Sequence, residues 1–222
     1  MTSIIFSLET LFEKNKNYEI ALGQKKYLRD QFSFLGLKTP VRRQLQKEAF
    51  NQHKIESEKK LLETLQALWE KEEREYQHAA VDLALKYKKR ASKEALPIYE
   101  KMIRTKSWWD TVDIIASNLI GALVLKYPLL KKEVSTWIND SDLWIRRSAL
   151  LFQLKYKEKA DKKLLFSLIE KTIEEEDFFI RKAIGWVLRE HSKIDPLSIQ
   201  KFIEKNEKKL SNLSIKEGSK YL

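Results

Sequence analysis

At 222 residues, with 43% hydrophobic and 34% charged residues, the chain has the composition of a folded globular protein. It contains no cysteine, which excludes disulfides, thiolate metal sites and a cysteine nucleophile. The 3 histidines are scattered, so neither a metal nor a cofactor is expected.

The chain carries 43 Lys and Arg residues against 32 Asp and Glu, a net charge of +11. This excess fits nucleic acid or an anionic membrane as partner, and charge alone does not choose between them. No run approaches the roughly 18 apolar residues of a membrane span, and the first apolar run has no basic leader. A soluble cytoplasmic protein that does not bind membranes is therefore expected.

Helices are predicted along most of the chain. Only 5 Gly and 4 Pro punctuate it, which disfavours a sheet-rich fold. Apolar residues recur three and four apart over residues 59–69, 95–103, 129–138 and 162–172. The predicted helix starts are Pro40 in a first turn, Ser107 with Asp110 as a capping box, Ser141 or Asp142, and Asp177. Ser214 and Glu217 also have capping-box spacing, but the sequence does not decide whether residues 211–222 form a last helix.

A repeat of about 35 residues orders these helices. Asp142-Leu-Trp-Ile-Arg-Arg aligns with Asp177-Phe-Phe-Ile-Arg-Lys, and segments beginning near Ser107, Tyr76 and Val41 occupy the same place in earlier repeats. Two helices per repeat, stacked in series, predict an all-α fold. We expect a curved α-solenoid of HEAT-like repeats with a concave basic face, forming a single domain over residues 1–222.

Basic residues recur in this register. One position holds Arg43, His78, Arg147 and Lys182, and its neighbour holds Arg42, Gln77, Arg146 and Arg181. Stacked repeats would turn these positions into a stripe of bases that binds phosphates. In the central repeat, Thr111 and Val112 interrupt the stripe and Asp113 follows, although a purely anion-binding groove gains nothing from a carboxylate.

Asp113 is the first candidate for chemistry. Trp109 lies four residues before it, on the same face of a helix. Trp108 is expected to pack in the core, because adjacent indoles point in different directions on a helix. The alternative for Asp113 is a structural hydrogen bond.

The second candidate surface lies in the last full repeat. Trp186 has Lys182 one turn before it and Arg189 one turn after, and Phe178 and Phe179 open the same helix. These residues are predicted to contact DNA, although such aromatics are more often core residues, and Phe179 is expected to be half-buried. Arg147 is either a bidentate phosphate ligand or an ordinary surface arginine.

Four strings carry a resemblance to a known family. They are Gly-Leu-Lys-Thr-Pro-Val-Arg-Arg (36–43), Ser-Trp-Trp-Asp-Thr-Val-Asp (107–113), Ile-Arg-Arg-Ser-Ala-Leu-Leu-Phe-Gln-Leu (145–154) and Phe-Phe-Ile-Arg-Lys-Ala-Ile-Gly-Trp-Val-Leu-Arg (178–189). They resemble the AlkD-like alkylpurine DNA glycosylases over nearly the whole chain. The resemblance implies an all-helical HEAT-like solenoid that excises cationic N3- and N7-alkylated purines from duplex DNA without a base-flipping pocket.

The resemblance also implies residue roles. Asp113 is then the catalytic carboxylate, and Trp109 and Trp186 lie beside the deoxyribose of the lesion. The DNA-backbone contacts it implies are Arg147, Tyr27, Thr39 and Arg43. A monofunctional, monomeric enzyme without a cofactor is expected.

Three other functions remain open from the sequence. A non-catalytic solenoid that binds DNA structure does not account for Asp113. A protein-interaction scaffold does not require bases in register. A membrane-surface role is weaker, because the bases lie on a stacked array rather than on one amphipathic helix.

Overall fold

The computed structural model describes residues 3–222, with side chains from residue 4 onward, and within that range it contains helices and no strand. The all-α prediction is therefore confirmed. The α-helices are α1 (Ser3–Lys14), α2 (Tyr18–Tyr27), α3 (Thr39–Gln52), α4 (Glu58–Glu70), α5 (Arg74–Tyr87), α6 (Leu96–Arg104), α7 (Trp109–Ile114), α8 (Gly121–Lys126), α9 (Leu130–Thr136), α10 (Leu143–Leu151), α11 (Lys162–Thr172), α12 (Phe178–Ser192), α13 (Pro196–Lys205) and α14 (Asn212–Gly218). A π-helix, Ile115–Ile120, joins α7 to α8, and short 3-10 turns span Lys88–Arg90, Lys93–Ala95, Trp137–Asn139 and Lys157–Lys159.

The helices form two compact units, residues up to Ile98 and residues Tyr99–Leu222. In the first unit α1 packs against α3 and α4, and α5 packs against α3 and α4. In the second unit α10 packs against the π-helix and α12, and α12 packs against α13 and α14. Each unit buries its own apolar core, and each fully buried Leu, Ile or Phe side chain contributes roughly 1.5–3 kcal/mol. The single domain over residues 1–222 stays a prediction.

A buried glutamate organises the loop before α3. The Glu75 carboxylate accepts the backbone N–H groups of Leu35, Gly36 and Leu37 at 2.9–3.1 Å. Gly36 has φ +87°, and a Cβ there would lie 1.9 Å from the Asn17 carbonyl oxygen, so only glycine fits. This loop fixes where α3 begins.

The helix bounds agree closely with the sequence pattern. The predicted helices at 59–69, 95–103 and 162–172 correspond to α4, α6 and α11. The predicted helix at 129–138 instead ends as α9 at Thr136, and a 3-10 turn follows. Pro40 lies in the first turn of α3, as predicted.

Two predicted caps are confirmed and one is wrong. The Asp142 and Asp177 carboxylates accept N–H groups at the starts of α10 and α12. Ser107 instead donates its hydroxyl to the Ile103 carbonyl oxygen at 2.5 Å, so α7 has no side-chain cap. The C-terminal segment does form a last helix, α14, which is capped by Ser211: the Ser211 hydroxyl accepts the Ser214 N–H at 3.0 Å.

The Asp177 cap gives a stability prediction. Its Oδ1 accepts the N–H groups of Phe179 at 2.7 Å and Ile180 at 3.2 Å. Asp177→Ala leaves these donors without that acceptor, and we expect the free energy of unfolding in urea to fall by about 1 kcal/mol. Asp177→Asn retains an amide oxygen and serves as the control. A loss equally large in Asp177→Asn would contradict the cap.

The structure also bears on membrane insertion. In the part of the chain that the structure describes, no helix combines the length and apolarity needed to span a bilayer.

Candidate active site

A bidentate ion pair lies at the centre of the second unit. Arg147 of α10 donates from Nε to Asp113 Oδ1 at 2.7 Å and from Nη2 to Asp113 Oδ2 at 2.8 Å. Its Nη1 donates to the carbonyl oxygen of Phe179 on α12. The Arg147 side chain is 1% exposed, whereas the Asp113 side chain is 18% exposed. The carboxylate is therefore held in one orientation and still reaches the surface.

Burial and the ion pair have opposite effects on Asp113. Burial raises the pKa of the Asp113 carboxyl above its ordinary value, and the hydrogen bonds and charge of Arg147 oppose that rise. The negative charge of Asp110 raises the pKa further. Removing Arg147 would therefore leave only influences that favour the protonated acid.

Arg147 also connects the carboxylate to Trp186. The guanidinium carbon lies 5.1 Å from the centroid of the Trp186 ring, within the range of a cation–π contact. Trp109 is half-buried at the start of α7, one turn before Asp113. The structure thus brings Asp113, Arg147 and Trp186 into one cluster and places Trp109 on the helix that supplies the carboxylate.

An aromatic cluster lies at the starts of three helices of the second unit. Trp108 contacts Trp144 and Phe179 with ring centroids 5.5 and 5.3 Å apart, and Trp144 and Phe179 lie 4.9 Å apart. Trp108 and Phe179 are each half-buried, whereas Phe178 is 53% exposed. The cluster ties the starts of α7, α10 and α12 together. Trp144 was not singled out from the sequence, although it occupies the repeat position of Trp109 and Phe179.

Lys182 and Arg189 share one acidic partner. Lys182 Nζ lies 2.5 Å from Glu217 Oε1, and Arg189 Nη1 lies 2.8 Å from Glu217 Oε2. Lys182 and Arg189 hold the pKa of the Glu217 carboxyl below its ordinary value. Close packing brings α14 to this position, because a Cβ on Gly185 would lie 2.5 Å from Glu217 Cβ. In the sequence Glu217 stands out only by its capping-box spacing from Ser214, which gives no sign of its pairing with Lys182 and Arg189.

The predicted stripe of exposed bases is wrong at several of its positions. Arg147 and Arg42 are buried, and Gln77 is fully buried. Arg146 is half-buried, donating to both carboxylate oxygens of Glu175. The 35-residue register identifies equivalent positions, but these positions face neighbouring helices, where their side chains form bonds within the protein.

Three predicted DNA contacts lie in the first unit. Tyr27 at the end of α2 is 72% exposed, and Thr39 is exposed at the start of α3. The Arg43 side chain is 64% exposed, with its Nε 3.8 Å from Asp82 Oδ2. Their contact with DNA stays a prediction.

Among residues 3–222, no group of three or more His, Cys, Asp and Glu side chains is arranged to hold a metal ion.

Comparisons with known proteins show a family match and similar folds. A family model described as DNA alkylation repair enzyme matches residues 8–222. The fold is similar to that of a predicted DNA alkylation repair enzyme from Enterococcus faecalis, with 36% identity, a TM-score of 0.86, and coverage of 93% of this chain and 96% of that one. It is also similar in fold to smu.31 from Streptococcus mutans UA159, with 17% identity, a TM-score of 0.62, and coverage of 92% and 98%. No curated protein is similar enough in sequence to count as a match.

Proposed function

The chain belongs to the family of DNA alkylation repair enzymes, and from that premise we propose that it is a DNA glycosylase. In this proposal it hydrolyses the N-glycosidic bond of cationic N3- and N7-alkylated purines in duplex DNA. The observation that carries the proposal is the partly exposed Asp113 carboxylate, fixed by Arg147 in a protein of net charge +11. In this proposal the basic residues bind the phosphates of DNA, and the single carboxylate binds the cationic lesion.

The chemistry needs only one carboxylate. Alkylation at N3 or N7 makes the purine a cation, so the base leaves without protonation by a general acid. As the glycosidic bond breaks, positive charge develops on the deoxyribose. The Asp113 carboxylate stabilises that charge and orients the water that attacks C1′.

The two tryptophans add a further attraction. The faces of Trp109 and Trp186 each offer roughly 0.5–2 kcal/mol of cation–π stabilisation to the developing charge. Every 1.4 kcal/mol or so of preferential transition-state stabilisation increases the rate about tenfold. In this proposal the contacts are made to the sugar and backbone and not to a flipped base, so bulky N7 adducts are also substrates.

We propose a monofunctional enzyme, which leaves an abasic site. Lys182 on the helix of Trp186 is ion-paired with Glu217, an arrangement that does not favour attack on C1′. Trapping of a covalent complex with borohydride would contradict this assignment.

In the proposed complex, the protein binds duplex DNA as a cytoplasmic monomer. The candidate contacts are Tyr27, Thr39, Arg43, Phe178, Phe179, Lys182 and Arg189. Contacts between basic side chains and phosphates release counterions, so binding weakens as salt is added.

The proposal is tested by release of free base from a duplex that carries N7-methylguanine, with an undamaged duplex and a protein-free sample as controls. We expect release from the damaged duplex only. Tight DNA binding with no release would support the alternative, a non-catalytic protein that binds DNA structure. The observation that favours this alternative is the ion pair itself, since a paired carboxylate can also be structural.

The pH dependence of release is a separate prediction. Asp113 acts as a carboxylate, so release is expected to fall as pH falls through the pKa of Asp113. Because burial raises that pKa, the midpoint should lie above the ordinary aspartate value. The measurement is single-turnover release across pH after subtraction of spontaneous depurination. A midpoint at or below the ordinary aspartate value would contradict it.

A further inference from the structure

The helix that carries Trp109 and Asp113 changes from α-helical to π-helical hydrogen bonding shortly after Asp113. The α-helix ends at Ile114, and the π-helix follows. The Gly121 N–H donates to the Ala116 carbonyl oxygen, five residues earlier. A π-helical turn holds about one residue more than an α-helical turn. Residues before the π-helix are therefore rotated about the helix axis, by roughly 100°, relative to an unbroken α-helix.

The buried residues show why the extra residue is accommodated. Val112, Ala116, Ile120 and Val124 recur at four-residue intervals and are all buried. In a regular α-helix each four-residue step advances about 40° beyond a full turn, so three steps drift by about 120°. The π-helix absorbs a rotation of that size and keeps all four residues on one buried face.

The same rotation moves Asp113. In a regular α-helix Asp113 would lie within about 20° of the face of Ile120, seven residues later. Ile120 is fully buried, so that register would direct the carboxylate into the core. With the π-helix, Asp113 lies where it pairs with Arg147 and remains partly exposed.

Side chains hold the π-helix in place. Ser117 Oγ donates to the Asp113 carbonyl oxygen at 2.6 Å, and Asn118 Nδ2 donates to the Ile114 carbonyl oxygen at 3.3 Å. At the other end, the buried Tyr156 hydroxyl donates to the Gly121 carbonyl oxygen at 2.8 Å. These side chains donate hydrogen bonds to backbone carbonyl groups at the places where the backbone hydrogen bonds change from four-residue to five-residue spacing.

Gly121 allows α10 and the residues after it to approach closely. A Cβ at Gly121 would lie 2.4 Å from the Phe152 carbonyl oxygen. Both α7 and the π-helix pack against α10, the helix that carries Arg147. The contacts at Gly121 therefore fix the two helices that carry the members of the ion pair relative to each other.

We propose that the π-helix and the Tyr156 hydrogen bond to Gly121 form a positioning device for the Asp113 carboxylate. Tyr156 is a positioning residue in this assignment, which rests on the proposed glycosylase function. It acts through the backbone of the helix and does not touch the substrate.

The test is Tyr156→Phe, which keeps the ring against Phe152 and removes only the hydroxyl. We expect single-turnover release to slow about three- to tenfold, the effect of one hydrogen bond, with the dissociation constant for DNA unchanged. Ser117→Ala, which removes the donor to the Asp113 carbonyl, should act in the same direction. Tyr87→Phe is the matched control, because the Tyr87 hydroxyl bonds to the Ile55 N–H in the first unit.

A second readout does not depend on activity. The carboxyl carbon of Asp113, identified by its loss in Asp113→Asn, is titrated by NMR in each protein. We expect its midpoint in Tyr156→Phe to differ from that of the wild-type protein, because the burial that raises this pKa and the Arg147 bonds that oppose the rise both depend on where the carboxylate lies. A wild-type titration in Tyr156→Phe, or an equal slowing in Tyr87→Phe, would overturn the inference. If the wild-type protein releases no base, the glycosylase proposal fails, and the titration still decides whether Tyr156 positions Asp113.

Discussion

Asp113→Asn is expected to release N7-methylguanine at least about a hundredfold more slowly than the wild-type protein, the size of effect seen when one preorganised electrostatic group is removed. The amide has nearly the same shape, and its oxygen still accepts a hydrogen bond from Arg147. What it lacks is the charge that stabilises the developing cation on the sugar. DNA affinity should be unchanged or slightly higher, since a negative charge has been removed near the phosphates. The measurements are single-turnover release and equilibrium binding at one salt concentration.

Asp110→Asn is the matched control for this experiment. It removes the same charge from the same helix, in the first turn of α7, but Asp110 is not paired with Arg147. We expect its release rate to stay within a few-fold of wild type. If Asp113→Asn releases base at the wild-type rate, Asp113 has only a structural role.

The repeat and its helix starts could be predicted from the sequence because they depend on local rules. Residue type and position predict caps at Ser141 or Asp142 and at Asp177, and the apolar spacing of residues 162–172 predicts the bounds of α11. The sharing of a face by Trp109 and Asp113 also follows from helical periodicity alone.

The partners of the site residues could not be predicted in this way. Asp113 and Arg147 lie 34 residues apart on different helices, and their pairing depends on how those helices pack. Glu217 is a further case, since it reaches Lys182 only because Gly185 allows α14 to approach. A register aligns residues along the chain without giving the direction of each side chain, and for this reason it predicts a stripe of bases at positions where several of the side chains are buried.

One signal of the π-helix was present in the sequence. Apolar residues at four-residue intervals from Val112 to Val124 imply a period of about 4.0 and not the 3.6 of a regular helix. In a regular α-helix such residues would move gradually around the helix axis, and they stay on one face only if one turn contains an extra residue. The sequence alone does not distinguish these outcomes, and the structure shows that the extra residue lies immediately after the candidate carboxylate.

Arg147→Met is expected to lower the free energy of unfolding by about 3 kcal/mol at neutral pH, because it leaves the Asp113 carboxylate without its buried partner. The double variant Asp113→Asn/Arg147→Met should recover most of this loss, since no charge then remains unpaired. Arg146→Met is the control: the neighbouring arginine is half-buried and pairs with Glu175, so a loss of about 1 kcal/mol is expected. Urea unfolding of these three variants, of the single variant Asp113→Asn and of the wild-type protein gives the comparison.

The pH dependence of this deficit separates the ion pair from a phosphate contact. Without Arg147, the pKa of Asp113 in the folded protein rises further above its unfolded value. The destabilisation is then fully present above the folded pKa and shrinks as the pH falls and the carboxyl takes up its proton. As the pH is lowered, base release by Arg147→Met should also be lost at a higher pH than base release by the wild-type protein. A phosphate contact predicts a different result: weaker binding to damaged and undamaged duplexes alike, a salt slope reduced by about one, and a stability independent of the protonation of Asp113.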